Sequence, residues 1–441
     1  ITLDGAPLPA RAGESVAVAL LAAGRPLVAR SAKYHRPRGP FCLAGSCGSC
    51  LVRVDGVPNV RACETPCREG LRVETQNAVG GASHDLLGVI DLFAPSGIDH
   101  HKLATWSQVA NRLAVSASRS LAGLGELPDP VPPRPPPAVE VRCDALVVGS
   151  GPAGLGAAER LARAGRRVLL AEAEPALGGR LRCRLGLPGD PPPAWADEVA
   201  RAVERAGGAC HTRATVLGVW RDAPPVRPER SREAAESKGG VLAAVEVRGA
   251  EPRMLLVRAA RAVLASGTWA QPPLFPGNDL PGVHGARGLL VALAEDGVVP
   301  GERAAVLGEG REAAATAERL AASGMQVELV RGAVARARGG RRLAALDLGG
   351  APRLRCDVLA VATPRMPAAE LARELGAPLE LHPDTGAFRV KPEPGGRFAE
   401  GVWAAGEVCG PCTAAEAVEA GAVAGEAAAR CARASSARAR T

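Results

Sequence analysis

Cys143-Asp-Ala-Leu-Val-Val-Gly-Ser-Gly-Pro-Ala-Gly154 governs how most of this chain is read. An apolar strand runs into Gly149-Ser-Gly151-Pro152-Ala153-Gly154, and an Ala/Leu helix follows and closes near Gly165. A second apolar run, Arg167–Ala171, ends on Glu172, 18 residues past Gly154. Strand, tight turn, helix, strand and acid form the context of a dinucleotide site. Gly149 makes the turn, Gly151 admits a pyrophosphate, Gly154 lets helix and strand pack closely, and Glu172 meets a ribose hydroxyl. The free N–H groups and positive dipole of the helix N-terminus suit the phosphates.

Further landmarks extend the pattern. Leu177-Gly178-Gly179-Arg180-Leu181 stands where two-dinucleotide flavoproteins carry a second glycine pair. Ala262-Val-Leu-Ala265-Ser266-Gly267 resembles the strand-plus-glycine segment that ends the first half of such domains. Val402-Trp-Ala-Ala-Gly406-Glu407 resembles their closing motif beside the flavin ribityl chain, with Glu in place of the usual Asp. Val216 completes the expected cofactor-binding set. The expected fold is α/β, with two dinucleotide-binding, glutathione-reductase-like Rossmann domains. The expected cofactor at the first site is FAD. The inserted domain has a weaker signature, Gly308-Glu309-Gly310-Arg-Glu-Ala313, in which Ala replaces the third glycine and a carboxylate occupies the phosphate position. An NAD(P) site there is doubtful; Arg331, at the end of the next strand, would suit a 2′-phosphate if one bound.

Before this core lies Phe41-Cys-Leu-Ala-Gly-Ser-Cys-Gly-Ser-Cys-Leu51, with Cys63 beyond it. Cys42, Cys47, Cys50 and Cys63 follow C-x4-C-x2-C-x12-C, the thiolate set of a plant-type [2Fe–2S] cluster. Cys67 is the rival for the fourth position. The surrounding order is a hairpin at Asp4-Gly5 with strands Ile1–Leu3 and Leu8–Arg11, a helix over Glu14–Ala23, the cysteine loop, a strand Leu51–Val54 and a turn at Asp55-Gly56. That is the order of a β-grasp ferredoxin.

The expected organisation is a ferredoxin-like domain at 1–80 and a connecting segment with a proline-rich linker at 81–140. The FAD domain is expected at 141–279 and 371–430, the inserted NAD(P)-binding-like domain at 280–370, and a disordered tail at 431–441. The proline run Pro128–Pro137 suits neither helix nor central strand. Ala223–Gly240 reads as an exposed polar loop.

Aromatics are 2% of residues, so Ala, Leu and Val must build the cores. The net charge is +8, but nearly all the basic residues are Arg. They are dispersed, without the aromatic interleaving of a stacking platform, so no nucleic-acid partner is expected. No apolar run of about 18 residues predicts a membrane span. The absence of a visible signal peptide and the scattered cysteines point to a reducing cytoplasm.

Three other motifs attract attention. Cys409-Gly-Pro-Cys412 lies at an expected helix start and reads as a capping turn, with a redox dithiol as the alternative. Lys33-Tyr-His-Arg-Pro-Arg-Gly39 is a basic loop suited to an anionic cofactor or an acidic partner face. Asp99-His100-His101 lacks a third ligand at metal spacing. No residues present themselves as catalytic.

Arg30-Ser-Ala-Lys-Tyr-His-Arg-Pro-Arg-Gly39, Thr75-Gln-Asn77, Cys143–Gly149 and Leu177-Gly-Gly179 together resemble the α subunit of heterotetrameric sarcosine oxidase. The chain departs from that family in its four cluster cysteines and in lacking the long folate-binding half. Both departures resemble proline or hydroxyproline dehydrogenase, opine oxidase and hydrogen cyanide synthase. The resemblance implies an electron-transfer subunit beside a catalytic amino-acid-oxidase-like flavoprotein, in a hetero-oligomer, and it implies FAD, NAD or another adenine nucleotide at the first site. The alternative is a self-contained NAD(P)H-dependent flavin oxidoreductase with a fused ferredoxin.

Overall fold

The computed structural model describes residues 1–31, 34–89, 105–124, 135–221, 240–249 and 251–430. Lys33, the Asp99-His100-His101 motif, most of the proline run, nearly all of Ala223–Gly240 and the 431–441 tail lie outside these. The chain forms two compact units, Ile1–Pro133 with Ala270–Thr363, and Arg134–Trp269 with Pro364–Thr441.

The first unit opens with a mixed five-stranded sheet in the order Ala6–Pro7, Thr2–Leu3, Arg72–Glu74, Leu51–Val54, Val57–Arg61. The hairpin's second strand lies at Ala6–Pro7, ahead of the expected Leu8–Arg11, none of which is strand; Pro9, without an N–H, cannot carry the ladder onward. Ser15 caps the Val16–Ala22 helix through its Oγ, 3.3 Å from Val18 N, so the helix begins two residues later than expected. Leu3, Val16, Leu20, Val52, Leu71 and Val73 form a core between helix and sheet. A Gln108–Leu121 helix follows, and its last turn is held where Asn59 Nδ2 and Gln76 Nε2 both donate to Ala122 O.

The same unit contains a parallel four-stranded sheet in the order Val283–Gly285, Val358–Val361, Arg303–Leu307, Gln326–Val330. The Ala286–Asp296 and Gly310–Ala322 helices accompany it. Segments 1–80 and 280–370, separate in the sequence reading, share a unit because Phe41 and Cys42 are buried among Leu280, Val283, Leu307 and Leu359.

The second unit centres on the Val139–Val148 strand, parallel to Val168–Ala171 on one side and to Arg253–Leu264 on the other. Val402–Ala404 also pairs in parallel with Arg253–Leu264. The loops bearing the glycine motifs therefore leave the carboxyl ends of adjacent parallel strands, where open α/β sheets bind ligands.

The Pro152–Arg163 helix packs against Ala414–Arg430 at backbone distance. A Cβ on Gly421 would stand 1.9 Å from Ala153 O, one on Gly425 2.6 Å from Ala157 O, and one on Gly156 2.5 Å from Val418 O. Gly421→Ala is expected to destabilise the protein by about 1–3 kcal/mol through overpacking, read as a lower urea midpoint at unchanged m-value. It should also weaken flavin retention, because Ala153 belongs to the glycine loop.

His284 is fully buried, with Nδ1 2.7 Å from Pro40 O, so Nδ1 carries the hydrogen and donates. Burial pushes its pKa down to about 4. The unfolded chain, with the ordinary value near 6.5, binds more protons between these values. Stability is therefore fully present above pH ~6.5 and falls by up to about 3 kcal/mol as pH drops toward 4. His284→Asn keeps a donor and cannot titrate there, so its urea-unfolding free energy should lose that part of the pH slope.

Candidate functional site

The cysteine loop is shaped by backbone that only certain residues tolerate. Leu43, Gly45 and Gly48 have φ of 55°, 72° and 65°. A side chain at Gly45 would run into the Glu64 carboxylate, 2.7 Å from its Oε1. The curl turns amide hydrogens inward. Ala44 N and Ser46 N donate to Cys42 Sγ at 3.4 and 3.3 Å, Gly45 N to Cys63 Sγ at 3.3 Å, and Ser49 N to Cys47 Sγ at 3.4 Å. The hairpin of Leu51–Val54 and Val57–Arg61 brings Cys63 back to Cys50, with Ala62 N donating to Cys50 O at 2.9 Å.

The thiols touch in the sequence Cys47–Cys42–Cys63–Cys50. Cys42 is held well below the usual thiol range by hydrogen bonds from Cys47 and then Cys63, and Cys50 below it by Cys63. Cys47 and Cys63 are pushed up, chiefly by their contacts with the Cys42 sulfur and, for Cys63, by that with Cys50 as well. Among the described residues no three His, Cys, Asp or Glu side chains converge as a single-ion site requires. Two irons sharing four thiolates need only two each, and the Cys42–Cys47 and Cys50–Cys63 contacts would suit such a division. Cys67 takes no part. It is buried in the β-grasp core with its pKa pushed up to about 11 by burial. The donor set and the inward amides fit a [2Fe–2S] cluster.

At the dinucleotide loop Gly149 has φ 89°, and a Cβ there would meet Ala265 O at 2.4 Å. A Cβ on Gly154 would meet Gly149 O at 1.8 Å. Gly151 caps the Pro152–Arg163 helix without a side-chain bond, and its Cβ position faces open space. Bare helix amides beside open space are what a pyrophosphate needs. Glu172 Oε2 accepts from Ser150 N at 2.8 Å and Ser150 Oγ at 2.5 Å, and Oε1 accepts from Glu174 N at 2.8 Å. Three bonds leave about one of the four carboxylate lone-pair sites for a ribose hydroxyl.

The glycine pair closes on the loop. Gly178 N donates to Ser150 O at 3.1 Å, and a Cβ on Gly179 would stand 2.8 Å from Gly151 Cα. Arg180 and Glu407, both assigned to the cofactor from sequence, meet each other. Arg180 Nη1 lies 3.1 Å from Glu407 Oε1 and donates to Cys412 O at 2.8 Å. The pair ties the second glycine turn to the closing motif across 227 residues. Gly406 has φ 81° and lies against Ala153. Ala265 N donates to Val148 O at 2.8 Å, Ser266 Oγ to Ala368 O at 2.7 Å, and Gly267 has φ 69°. Val216 sits at a bulge in the Ala214–Arg221 strand.

The second glycine loop is differently furnished. Ala313 is buried where the third glycine would be, and Glu309 and Glu312 both stand at the start of the Gly310–Ala322 helix. Two carboxylates at the positive helix end oppose a pyrophosphate. At Cys409-Gly-Pro-Cys412, the helix is capped by Thr413 and Glu416. Thr413 N and Oγ1 donate to Glu416 Oε2 at 2.7 and 2.9 Å, and Glu416 N donates to Thr413 Oγ1 at 3.2 Å. Burial pushes Cys409 up to about 12, which leaves a poor thiolate. In the basic loop, Arg38 pairs with Asp279 at 3.0 Å and His35 lies 2.6 Å from Asp85.

Residues 1–78 match the family described as "2Fe-2S iron-sulfur cluster binding domain", and residues 147–189 that described as "NAD(P)-binding Rossmann-like domain". Over 348 residues the chain is 32% identical to sarcosine oxidase subunit alpha of Rhizobium meliloti (strain 1021), covering 74% of this chain and 33% of that one. Over 77 residues it is 46% identical to hydrogen cyanide synthase subunit HcnA of Pseudomonas aeruginosa, covering 18% of this chain and 73% of the relative. The chain belongs to the sarcosine oxidase α-like family. It spans about a third of the length of the sarcosine oxidase α subunits it matches. The crystal structure of L-proline dehydrogenase from P. horikoshii shares the fold of this sarcosine oxidase α-like chain. The TM-score is 0.70 at 21% identity, over 96% of this chain and 71% of that one. The α/β architecture with an N-terminal β-grasp ferredoxin-like domain and Rossmann domains stands, as does the cofactor set of a [2Fe–2S] cluster and FAD. Among the described residues no helix is long and apolar enough to cross a membrane.

Sequence reasoning missed His284, Gly288 and the Arg180–Glu407 pair. Each depends on a partner more than 200 positions away. The one local signal was His284-Gly285 and Gly288 around a helix start.

Cys47→Ser should abolish the visible bands of the cluster and lower iron and acid-labile sulfide. Cys67→Ser should retain both.

Proposed function

We propose that this chain is the FAD- and [2Fe–2S]-carrying electron-transfer subunit of a multi-subunit amino-acid or amine dehydrogenase or oxidase acting on CH–NH donors. The observation that carries this reading is a cluster-type cysteine loop and an FAD-type glycine loop on one chain of the sarcosine oxidase α-like family. Relatives whose names denote subunits of sarcosine oxidase, hydrogen cyanide synthase and opine oxidase support it. The partner in this reading is a catalytic amino-acid-oxidase-like flavoprotein, in a hetero-oligomer in the cytoplasm. Every described cysteine is free of a disulfide, in keeping with a reducing compartment.

Residues 1–80 serve as the cluster module, 141–279 with 371–430 as the flavin module, and 280–370 as the inserted module. Cys42, Cys47, Cys50 and Cys63 hold the irons. Gly149, Gly151, Pro152, Ala153 and Gly154 frame the pyrophosphate, and Glu172 takes a ribose hydroxyl. The bare amides come from residues other than Pro152, which has no N–H, and Gly149, whose N–H donates to Ala171 O. Gly178, Gly179 and Arg180 close over the loop. Val216, Ala265, Ser266, Gly267, Gly406 and Glu407 complete the wall. When bound, the flavin accepts electrons in pairs and releases them singly, and the cluster carries one at a time. Substrate selectivity then resides in the partner.

Under anaerobic conditions, neither NADH nor NADPH should bleach the flavin of the purified chain on a turnover timescale, given Glu309, Glu312 and Ala313 at the second loop. Adding the partner flavoprotein and its amino acid should reduce both flavin and cluster. Fast bleaching by a nicotinamide alone would establish the self-contained reductase instead.

A further inference from the structure

The inserted domain retains a dinucleotide-type sheet, yet its phosphate position is acidic. It makes close contact with the cysteine loop. Gly285 N donates to Phe41 O at 2.9 Å, and His284 Nδ1 donates to Pro40 O at 2.7 Å. A Cβ on Gly288 would stand 2.1 Å from Cys42 O and 3.0 Å from Leu43 Cβ, so the first turn of the Ala286–Asp296 helix abuts the peptide of a cluster ligand. Around this seam Phe41 and Cys42 are buried among Leu280, Val283, Leu307 and Leu359, with Cys47 packed at the edge. At the other end of the helix, Arg11 Nη1 donates to Asp296 O at 3.0 Å.

This helix end has no side-chain cap and no acidic residue in its first turn. Its orphan amides therefore keep their partial positive charge, equivalent to roughly half an elementary charge. The charge of Arg287, in that first turn, is met by Glu312 through Nε and Nη2 at 2.8 and 2.9 Å. An oxidised [2Fe–2S] cluster with four thiolates is anionic, and gaining one electron makes it more so. Charge and hydrogen bonding around the cluster set its reduction potential. A positive helix end beside Cys42 favours the reduced form.

We infer that the inserted domain has become the seat of the cluster, with the Ala286–Asp296 helix directing its uncapped N-terminus at Cys42 and raising the cluster's reduction potential. Gly285, Gly288 and His284 are positioning residues in this role. The inference rests on the ligand assignment proposed above.

The test is the cluster midpoint potential of the full chain, followed by electron paramagnetic resonance in a dye-mediated titration. Gly285 has φ −68° and ψ 128°, which any residue adopts, and a Cβ there meets Ala270 Cβ at 3.3 Å. Gly285→Ser and Gly285→Asp add the same Cβ, but only Asp brings a charge to the helix end. With iron and sulfide content equal to the parent, Gly285→Asp should lower the reduced-to-oxidised ratio at fixed ambient potential about tenfold, or ~59 mV for one electron. Gly285→Ser should stay within about twofold of the parent. Equal potentials in parent, Ser and Asp proteins, or equal shifts in both variants, would overturn the inference. If neither variant holds its cluster, Glu312→Gln decides: with the Arg287 charge less compensated, the ratio should move toward the reduced form, and an unmoved ratio overturns the inference. A parent protein without iron would instead sink the ligand assignment.

Discussion

Close approach of backbone to backbone is the constraint on which the rest of this molecule depends. With so few aromatic side chains, the cores fill only if elements come nearer than larger residues allow. The Pro152–Arg163 helix meets Ala414–Arg430 through Gly156, Gly421 and Gly425, each with a carbonyl where a Cβ would be. The same helix begins at the pyrophosphate loop, and its partner helix follows the closing motif. Packing and ligand geometry are thus one arrangement, and a single added methyl in the seam displaces Ala153 along with the helix.

The cluster loop follows the same rule in the other unit. Its inward amides need left-handed backbone at Leu43, Gly45 and Gly48, and its outer side rests on a helix that lacks a side chain at Gly288. A domain whose glycine loop leads into the Gly310–Ala322 helix presents another helix, Ala286–Asp296, to the cysteine loop. The contact is chemically coherent, because an uncapped helix N-terminus favours concentrated negative charge.

Local features were legible in the sequence. Strand, glycine turn and helix around Gly149–Gly154 span few residues and need no distant partner to be recognised. The cysteine spacing was likewise readable, because a short hairpin returns Cys63 to Cys50. The Ser15 cap shifted a helix start by two residues, and the edge strand expected at Leu8–Arg11 sits at Ala6–Pro7, ahead of Pro9, both small effects of side-chain chemistry. What the sequence hid was long-range. Arg180 and Glu407 each looked like a residue facing the cofactor, and only the fold reveals that they face each other. His284, Gly285 and Gly288 carried no motif, since their meaning lies in Pro40, Phe41 and Cys42, which are more than 240 positions earlier.

That separation orders the biogenesis of the protein. When residues 1–80 have left the ribosome, the β-grasp sheet and Cys42, Cys47, Cys50 and Cys63 exist, but the helix beneath Cys42 has not been made. At about 5–20 residues per second, some 200 further residues take about 10–40 s to appear. Through that interval the flank of the cysteine loop that Gly285 and Gly288 later cover faces water. Cluster insertion during this window would act on an open loop, whereas insertion after release would act on one already covered. Maturation machinery that hands over iron and sulfide therefore meets two different surfaces of the same four cysteines, depending on when it arrives.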